Sequence, residues 1–167
     1  MNDDCIGFPP SVDEGCRVLV LGSMPSVKSL AEQQYYAHPQ NRFWTMMTKI
    51  LTGEDVPPAV YEDRLRMLRE HHIALWDAIA SCKREGSLDS AIHDEIGNDF
   101  SIFLAKWPRI TTILCNGGKS FQCFKQYNKA LLARKDLTIK QMPSTSPANA
   151  RWRLEMLIEE WQKALST

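Results

Sequence analysis

With 167 residues, 44% of them hydrophobic, the chain is long enough to bury one sizeable core, and ordinary domain sizes favour one domain spanning 1–167 over two. Twenty Lys and Arg balance twenty Asp and Glu, which excludes a globally positive field and makes any contact with a polyanion a local one. The five cysteines, Cys5, Cys16, Cys82, Cys115 and Cys123, contain no C-x-x-C pair, and no His stands at zinc-finger spacing, so neither a metal centre nor an iron–sulfur cluster is expected.

In chain order, the first apolar run, 17–23, reads as a buried strand that ends in the turn GSMPS, Gly22 to Ser26. A helix opens at Asn41, where Phe43, Trp44, Met47, Ile50 and Leu51 recur at helical spacing until Gly53 stops it. A second, charge-rich helix covers 60–71, followed by a strand over 73–78. Residues 100–107 form a third helix, stopped by Pro108. The strand 111–116 leads to a fourth helix, 119–132, with Phe121, Phe124, Leu131 and Leu132 facing inward. A last strand, 137–142, precedes a closing helix over 148–165, whose apolar stripe carries Trp152, Leu154, Leu157, Ile158, Trp161 and Leu165.

Strands alternating with helices place the chain in the α/β class, because a parallel crossover needs a helix-sized connection. The expected architecture is a three-layer α/β/α sandwich with a central four-stranded parallel sheet. Ligands of such sheets sit beyond the carboxyl ends of the strands. Chemistry is therefore expected in the loops after Leu21, Trp76, Cys115 and Met142.

Three common sites fail on spacing. NGGKS, Asn116 to Ser120, lacks the Walker glycine six residues before its Lys, where Ile113 stands. GSMPS lacks the G-x-G-x-x-G pattern of a dinucleotide turn, and no G-x-S-x-G elbow occurs. His38, His71, His72 and His93 have no partner at catalytic or metal-ligand spacing. What remains is GSMPS, then YYAHPQNRFW, then ALWDAIASCKREGSLDSAI (74–92), NGGKS and MPSTSPAN (142–149), in that order.

The stretch from Leu21 to Trp44 resembles the first motif region of the mismatch-specific uracil-DNA glycosylases, a G-x-x-P turn followed by aromatic-A-x-P-x-N-R-F-W. With the later segments, the chain is similar over almost its whole length to the hypoxanthine (deoxyinosine) branch of the uracil-DNA glycosylase superfamily. The resemblance implies a uracil-DNA glycosylase-like fold and a monofunctional, cofactor-free hydrolase of base excision repair. Its partner would be double-stranded DNA containing a damaged base, chiefly hypoxanthine, flipped out of the stack and cut from its sugar to leave an abasic site. Uracil or mismatched thymine is the rival substrate, and a non-catalytic nucleic-acid-binding module the rival class. Two departures weigh against uracil. Met24 stands where many relatives carry the Asn or Asp of GINPG or GQDPY, and Ser144 stands where H-P-S-P-L-S has its His.

By the resemblance, Asn41 takes the catalytic role and Tyr36 stacks on the extruded base; a helix cap for Asn41 and a core or rim position for Tyr36 are the plainer readings. Backbone N–H groups of the GSMPS turn would bond the departing base, with Ser23, Asp77 and Asn116 converging from three strand ends. Asn116 both donates and accepts, which suits the N1–H and O6 of hypoxanthine, while Asp77 is as readily a cap. Ser144, Thr145, Ser146, Pro147, Ala148 and Asn149 precede the closing helix as a phosphate clamp, with Arg151 adding charge and Pro147 or Ala148 acting as the wedge. Lys119 reads as a phosphate contact or a solvated helix residue, so no lyase activity is expected.

Buried reduced thiols, no secretory start and no apolar run near the roughly 18 residues of a membrane span predict a cytoplasmic protein, nucleoid-associated if bacterial. A monomer is the default for an enzyme that scans duplex DNA.

Overall fold

The computed structural model describes residues 4–166. Strand β1 (Asp4–Ile6) is followed by β2 (Val18–Gly22) and by helices α1 (Val27–Glu32), α2 (Phe43–Thr52) and α3 (Tyr61–Glu70). Next come β3 (Ile73–Asp77), β4 (Ile79–Lys83), β5 (His93–Gly97) and α4 (Phe100–Lys106). The chain finishes with β6 (Thr112–Asn116), α5 (Gly118–Tyr127), β7 (Thr138–Met142) and α6 (Leu154–Leu165).

β3, β2, β6 and β7 lie in that order in one sheet, and every neighbouring pair is parallel. This is the four-stranded parallel sheet expected from the apolar runs. Successive strand residues leave opposite faces, and the two main apolar clusters obey that rule. Val20, Leu75 and Leu114 meet Phe43, Trp44 and Met47 of α2, Leu68 of α3, and Leu157 and Trp161 of α6. Leu19, Leu21, Ile113 and Cys115 meet Phe100, Phe103 and Leu104 of α4 and Phe124 of α5. Both faces of the sheet are thus covered, so its inner strands read as continuous apolar runs and not as alternating ones.

The order of the strands also creates the site. From β2 the chain crosses to β3 on one side and later to β6 on the other, and the carboxyl ends at that reversal leave a crevice.

Four sequence expectations change. A second, antiparallel sheet, β1-β4-β5, extends from the end of β3. Its strands carry Asp4, Lys83, His93, Asp94 and Glu95 and pair irregularly, so no apolar run marks them. The short α1, capped by Ser26 accepting from the Ser29 N–H, had no periodic pattern to reveal it. The helix expected over 119–132 stops at Tyr127, because Asn128 turns away to cap α4 through the Phe100 N–H. A 3₁₀ turn (Lys129–Ala133) follows, and Leu132 is left 45% exposed, not inward. The last helix begins at Leu154, not at 148. Residues 148–153 form turns, with the Trp152 N–H on the Asn149 carbonyl.

Among the described residues no helix is long and apolar enough to cross a membrane, and no cluster of His, Cys, Asp and Glu has the arrangement of a metal site. All five cysteines are buried, and none is in a disulfide.

Candidate active site

The strand ends open on a cavity of about 610 Å³, within the range of roughly 300–1,000 Å³ usual for small-molecule sites. Ser23 and Met24 enter it after β2, Asp77 at the end of β3 and Asn116 at the end of β6. Tyr36 and Asn41 come from the segment before α2, and 144–149 from the loop after β7. Asn41 and the five expected base-binding residues therefore all line the same cavity.

Three of these residues are joined by a directional chain of hydrogen bonds. The Thr145 N–H donates to Asn116 Oδ1 at 3.0 Å, which fixes which end of that amide is the oxygen. Asn116 Nδ2 then donates to Thr145 Oγ1 at 3.0 Å, and Thr145 Oγ1 donates to Asn41 Oδ1 at 2.9 Å. The same Asn41 oxygen accepts the Phe43 N–H at 2.9 Å. Both amide orientations rest on backbone donors, which cannot reverse. Asn41 Oδ1 thus accepts from the first residue of α2, whose N-cap position is Arg42, and its Nδ2, bonded to nothing among the described residues, is left as a donor on a residue that lines the cavity.

Tyr36 sits at φ 55°, a left-handed conformation that costs a non-glycine residue on the order of 1–3 kcal/mol. Its ring stacks on Phe43, with centroids 4.0 Å apart and planes 23° apart, and its hydroxyl accepts from Asn116 Nδ2 at 3.3 Å. The plainer reading, a packed aromatic, and a place on the cavity wall are both realised. Burial raises its phenol pKa above the ordinary value, so it stays neutral.

Asp77 is 4% exposed, and its Oδ2 is sealed from solvent without a hydrogen-bond partner. Its pKa is raised to about 7, chiefly by burial, further by the charge of Asp89, with Arg84 opposing. It does not act as a cap, because it is the backbone carbonyl, not the carboxylate, that bonds Asn98. The neighbouring strand must be glycine at this point: a Cβ on Gly22 would collide with Asp77 Oδ1 and lie 3.2 Å from the Tyr36 hydroxyl.

Ser23 Oγ donates to Asp89 Oδ1 at 2.6 Å, so its hydroxyl is engaged by the loop after β4. Met24 lines the cavity while packing with Ile79, Cys82 and Cys123. In the last loop, Ser144, Ser146, Pro147, Ala148 and Asn149 border the cavity. The Ser146 N–H donates to Ser144 Oγ at 3.1 Å, the Ala148 N–H to Ser146 Oγ at 3.1 Å, and Asn149 Nδ2 to the Ser144 carbonyl at 3.0 Å. These local bonds, and a helix that starts only at Leu154, replace the expected row of free helix-terminal N–H groups. Thr145 is wholly buried, so its hydroxyl orients Asn41 and is not offered to a phosphate. Arg151 is exposed and lies outside the cavity lining. Lys119 is partly exposed and pairs with Glu95 at 3.2 Å.

Two residues escaped the sequence reading. Arg42 donates from Nε to the Thr145 carbonyl at 3.3 Å, from Nη2 to the carbonyls of Ser146 and Asn149, and from Nη1 to that of Trp152. It thereby fastens the last loop to the start of α2. Asp89, the partner of Ser23, lines the cavity from a 3₁₀ turn (Asp89–Ala91). The adjacency of Arg42 to Asn41 in HPQNRFW was the one available signal for the first, and nothing local marked the second.

Residues 9–165 match the family described as the Uracil DNA glycosylase superfamily. A hypoxanthine DNA glycosylase from Methanosarcina barkeri is 41% identical over 145 residues, covering 87% of this chain and 88% of the relative. One from Methanosarcina acetivorans is 39% identical over 146 residues, covering 87% and 89%. A solution NMR structure of a proposed uracil DNA glycosylase from Methanosarcina acetivorans superposes with a TM-score of 0.82 at 35% identity, covering 97% of this chain and 96% of that one. Fold, strand-end cavity and sequence agree: the chain belongs to the uracil DNA glycosylase superfamily.

Proposed function

We propose that the protein excises hypoxanthine from double-stranded DNA by hydrolysing its N-glycosidic bond, leaving an abasic site. A stacked base is out of reach of any active site, so the nucleotide must be everted into a pocket, at a cost of roughly a few kcal/mol that a mispaired purine lowers. The cavity supplies that pocket. Asn41 is the catalytic residue of this reading, and the observation that carries it is its Nδ2. Thr145 and the Phe43 N–H hold the amide by its oxygen, which leaves Nδ2 unbonded on a residue that lines the cavity; there it can hold a water oxygen facing the anomeric carbon.

The relatives of known name support the choice of purine. So does the first turn, where the thioether of Met24 neither accepts a proton nor orients water. Lys119 is tied to Glu95, which supports hydrolysis over Schiff-base chemistry. The buried thiols, none of them in a disulfide, suit a reducing compartment.

The test uses duplex oligonucleotides containing a single inosine, uracil or xanthine, incubated with the protein and then cleaved with alkali. Cleavage at inosine is expected, together with a loss on the order of 100-fold or more in Asn41→Ala, whose fold is checked by thermal denaturation. Cleavage at uracil alone transfers the reading to pyrimidine excision, and an Asn41→Ala protein that cuts inosine normally removes Asn41 from the chemistry.

A further inference from the structure

Asn41 leaves half of the reaction unserved. When the bond between C1′ and N9 breaks, its electron pair stays on the purine, which departs as an anion unless a proton reaches it. An amide positions water but has no proton to give near neutral pH. His38 also lines the cavity, but it is only half-buried and its Nδ1 is occupied by the Gln40 N–H at 3.1 Å. One cavity group remains that is both acidic and shielded.

We propose that Asp77 is the general acid of this site, donating its carboxyl proton to an acceptor nitrogen of the everted purine, N3 or N7, as the glycosidic bond breaks. The inference rests on the excision reading above. Its first support is geometric. The carboxyl ends β3 at the base of the crevice, lines the cavity, and has no hydrogen bond to either oxygen among the described residues. A buried carboxylate without a donor is poorly stabilised, so the environment favours the neutral, proton-bearing form. Its second support is the character of every charged or titratable group around it. Asp89 on the 3₁₀ turn raises its pKa, and Arg84, following β4, lowers it. Tyr36 before α2, Tyr35 beside it and Tyr61 on α3 are phenols whose own pKa values Asp77 raises, so they stay neutral. Arg84, the cation among the described residues that opposes the rise, makes no salt bridge to Asp77 and donates to the Pro25 carbonyl. Together these hold the carboxyl at about 7, where an acid is both protonated and able to release its proton.

The step balances as follows. The C1′–N9 pair moves onto the base as the Asp77 O–H pair takes up the carboxylate charge, and the proton forms a new N–H bond on the purine. The base leaves neutral. The water held by Asn41 adds its oxygen to C1′, and its surplus proton passes through solvent to restore Asp77. Net consumption is one water per base.

The experiment is single-turnover excision of an inosine duplex between about pH 5.5 and 9, with wild type, Asp77→Asn and His38→Gln. Binding to a non-cleavable duplex containing 2′-fluoro-2′-deoxyinosine is measured in parallel. The wild-type rate is expected to fall about tenfold per pH unit above about 7. Asp77→Asn should lose on the order of 100-fold, show no such fall, and bind the non-cleavable duplex within about threefold of wild type. His38→Gln should keep the same fall with rising pH, whatever its absolute rate. A normal rate in Asp77→Asn, a wild-type rate flat or rising through this range, or a fall abolished by His38→Gln overturns the proposal. The wild-type profile requires no variant to fold. A wild type that cuts inosine at no pH removes the excision reading itself; one that cuts inosine indifferent to Asp77 removes only this inference.

Discussion

A carboxyl that keeps its proton to about pH 7 destabilises the fold wherever it must ionise. An unfolded aspartate releases its proton near 3.8, whereas Asp77 in the fold holds it to about 7. Between those values the folded state binds more protons, so stability is complete below the unfolded value and falls as pH rises through the folded one. Asp77→Asn escapes that loss. It should be more stable than wild type at pH 8, by at most about 4 kcal/mol, and gain nothing near pH 3.5, as read from urea denaturation at the two pH values. An equal difference at both would mean that the carboxyl does not titrate in the fold. At this scale the sequence was informative where a polar residue ends an apolar strand, as at Asp77 and Asn116. It took Thr145 for part of a phosphate clamp, because a short hydroxyl in a polar loop reads as exposed, whereas the residue is wholly buried. Its burial depends on Asn41 lying 104 residues away, a proximity that no local pattern encodes.

At the scale of elements, the loop after β7 owes its shape to α2. Four of its carbonyls accept from the guanidinium of Arg42; in Arg42→Ala those of Thr145, Ser146 and Asn149 keep a backbone N–H partner, and that of Trp152 loses its donor. Losing these part-buried bonds, one of them without replacement, costs about 1–3 kcal/mol, and Arg42→Lys should recover little of it, because an ammonium lacks the planar fork. Hydrogen exchange in 144–152 should accelerate in Arg42→Ala while the interior of α2 stays protected; uniform acceleration across both would refute the clamp. The strands of the parallel sheet and α2 were legible from their apolar runs and periodicity, α3 from its charged pairs and α4 from the stop at Pro108. The start of α6 was misplaced for a physical reason: Trp152 continues the apolar stripe, but residues 148–153 are held in turns by their own side chains and by Arg42. The second sheet was missed because its pairing joins charged segments whose hydrogen bonds, not apolar faces, define them.

Over the molecule as a whole, charge neutrality makes affinity for undamaged duplex weak and local. Arg151 is exposed and makes no ion pair among the described residues, unlike Arg153, which meets Glu155. Arg151→Ala should weaken binding to every duplex alike and lower the slope of log affinity against log salt by about 1. A loss confined to inosine duplexes would instead make it a base contact. The layered architecture was legible because both faces of the parallel sheet are dry. The cavity followed from strand order, but its enclosure by 87–89 did not. The chain of bonds from Asn116 through Thr145 to Asn41 constrains how such a pocket evolves. Because it sews a strand end, a loop and a helix start together, a new base preference built there would loosen the scaffold as well. Variation in substrate range has freer ground at His38, Leu88 and Gln141, which border the same cavity outside those bonds.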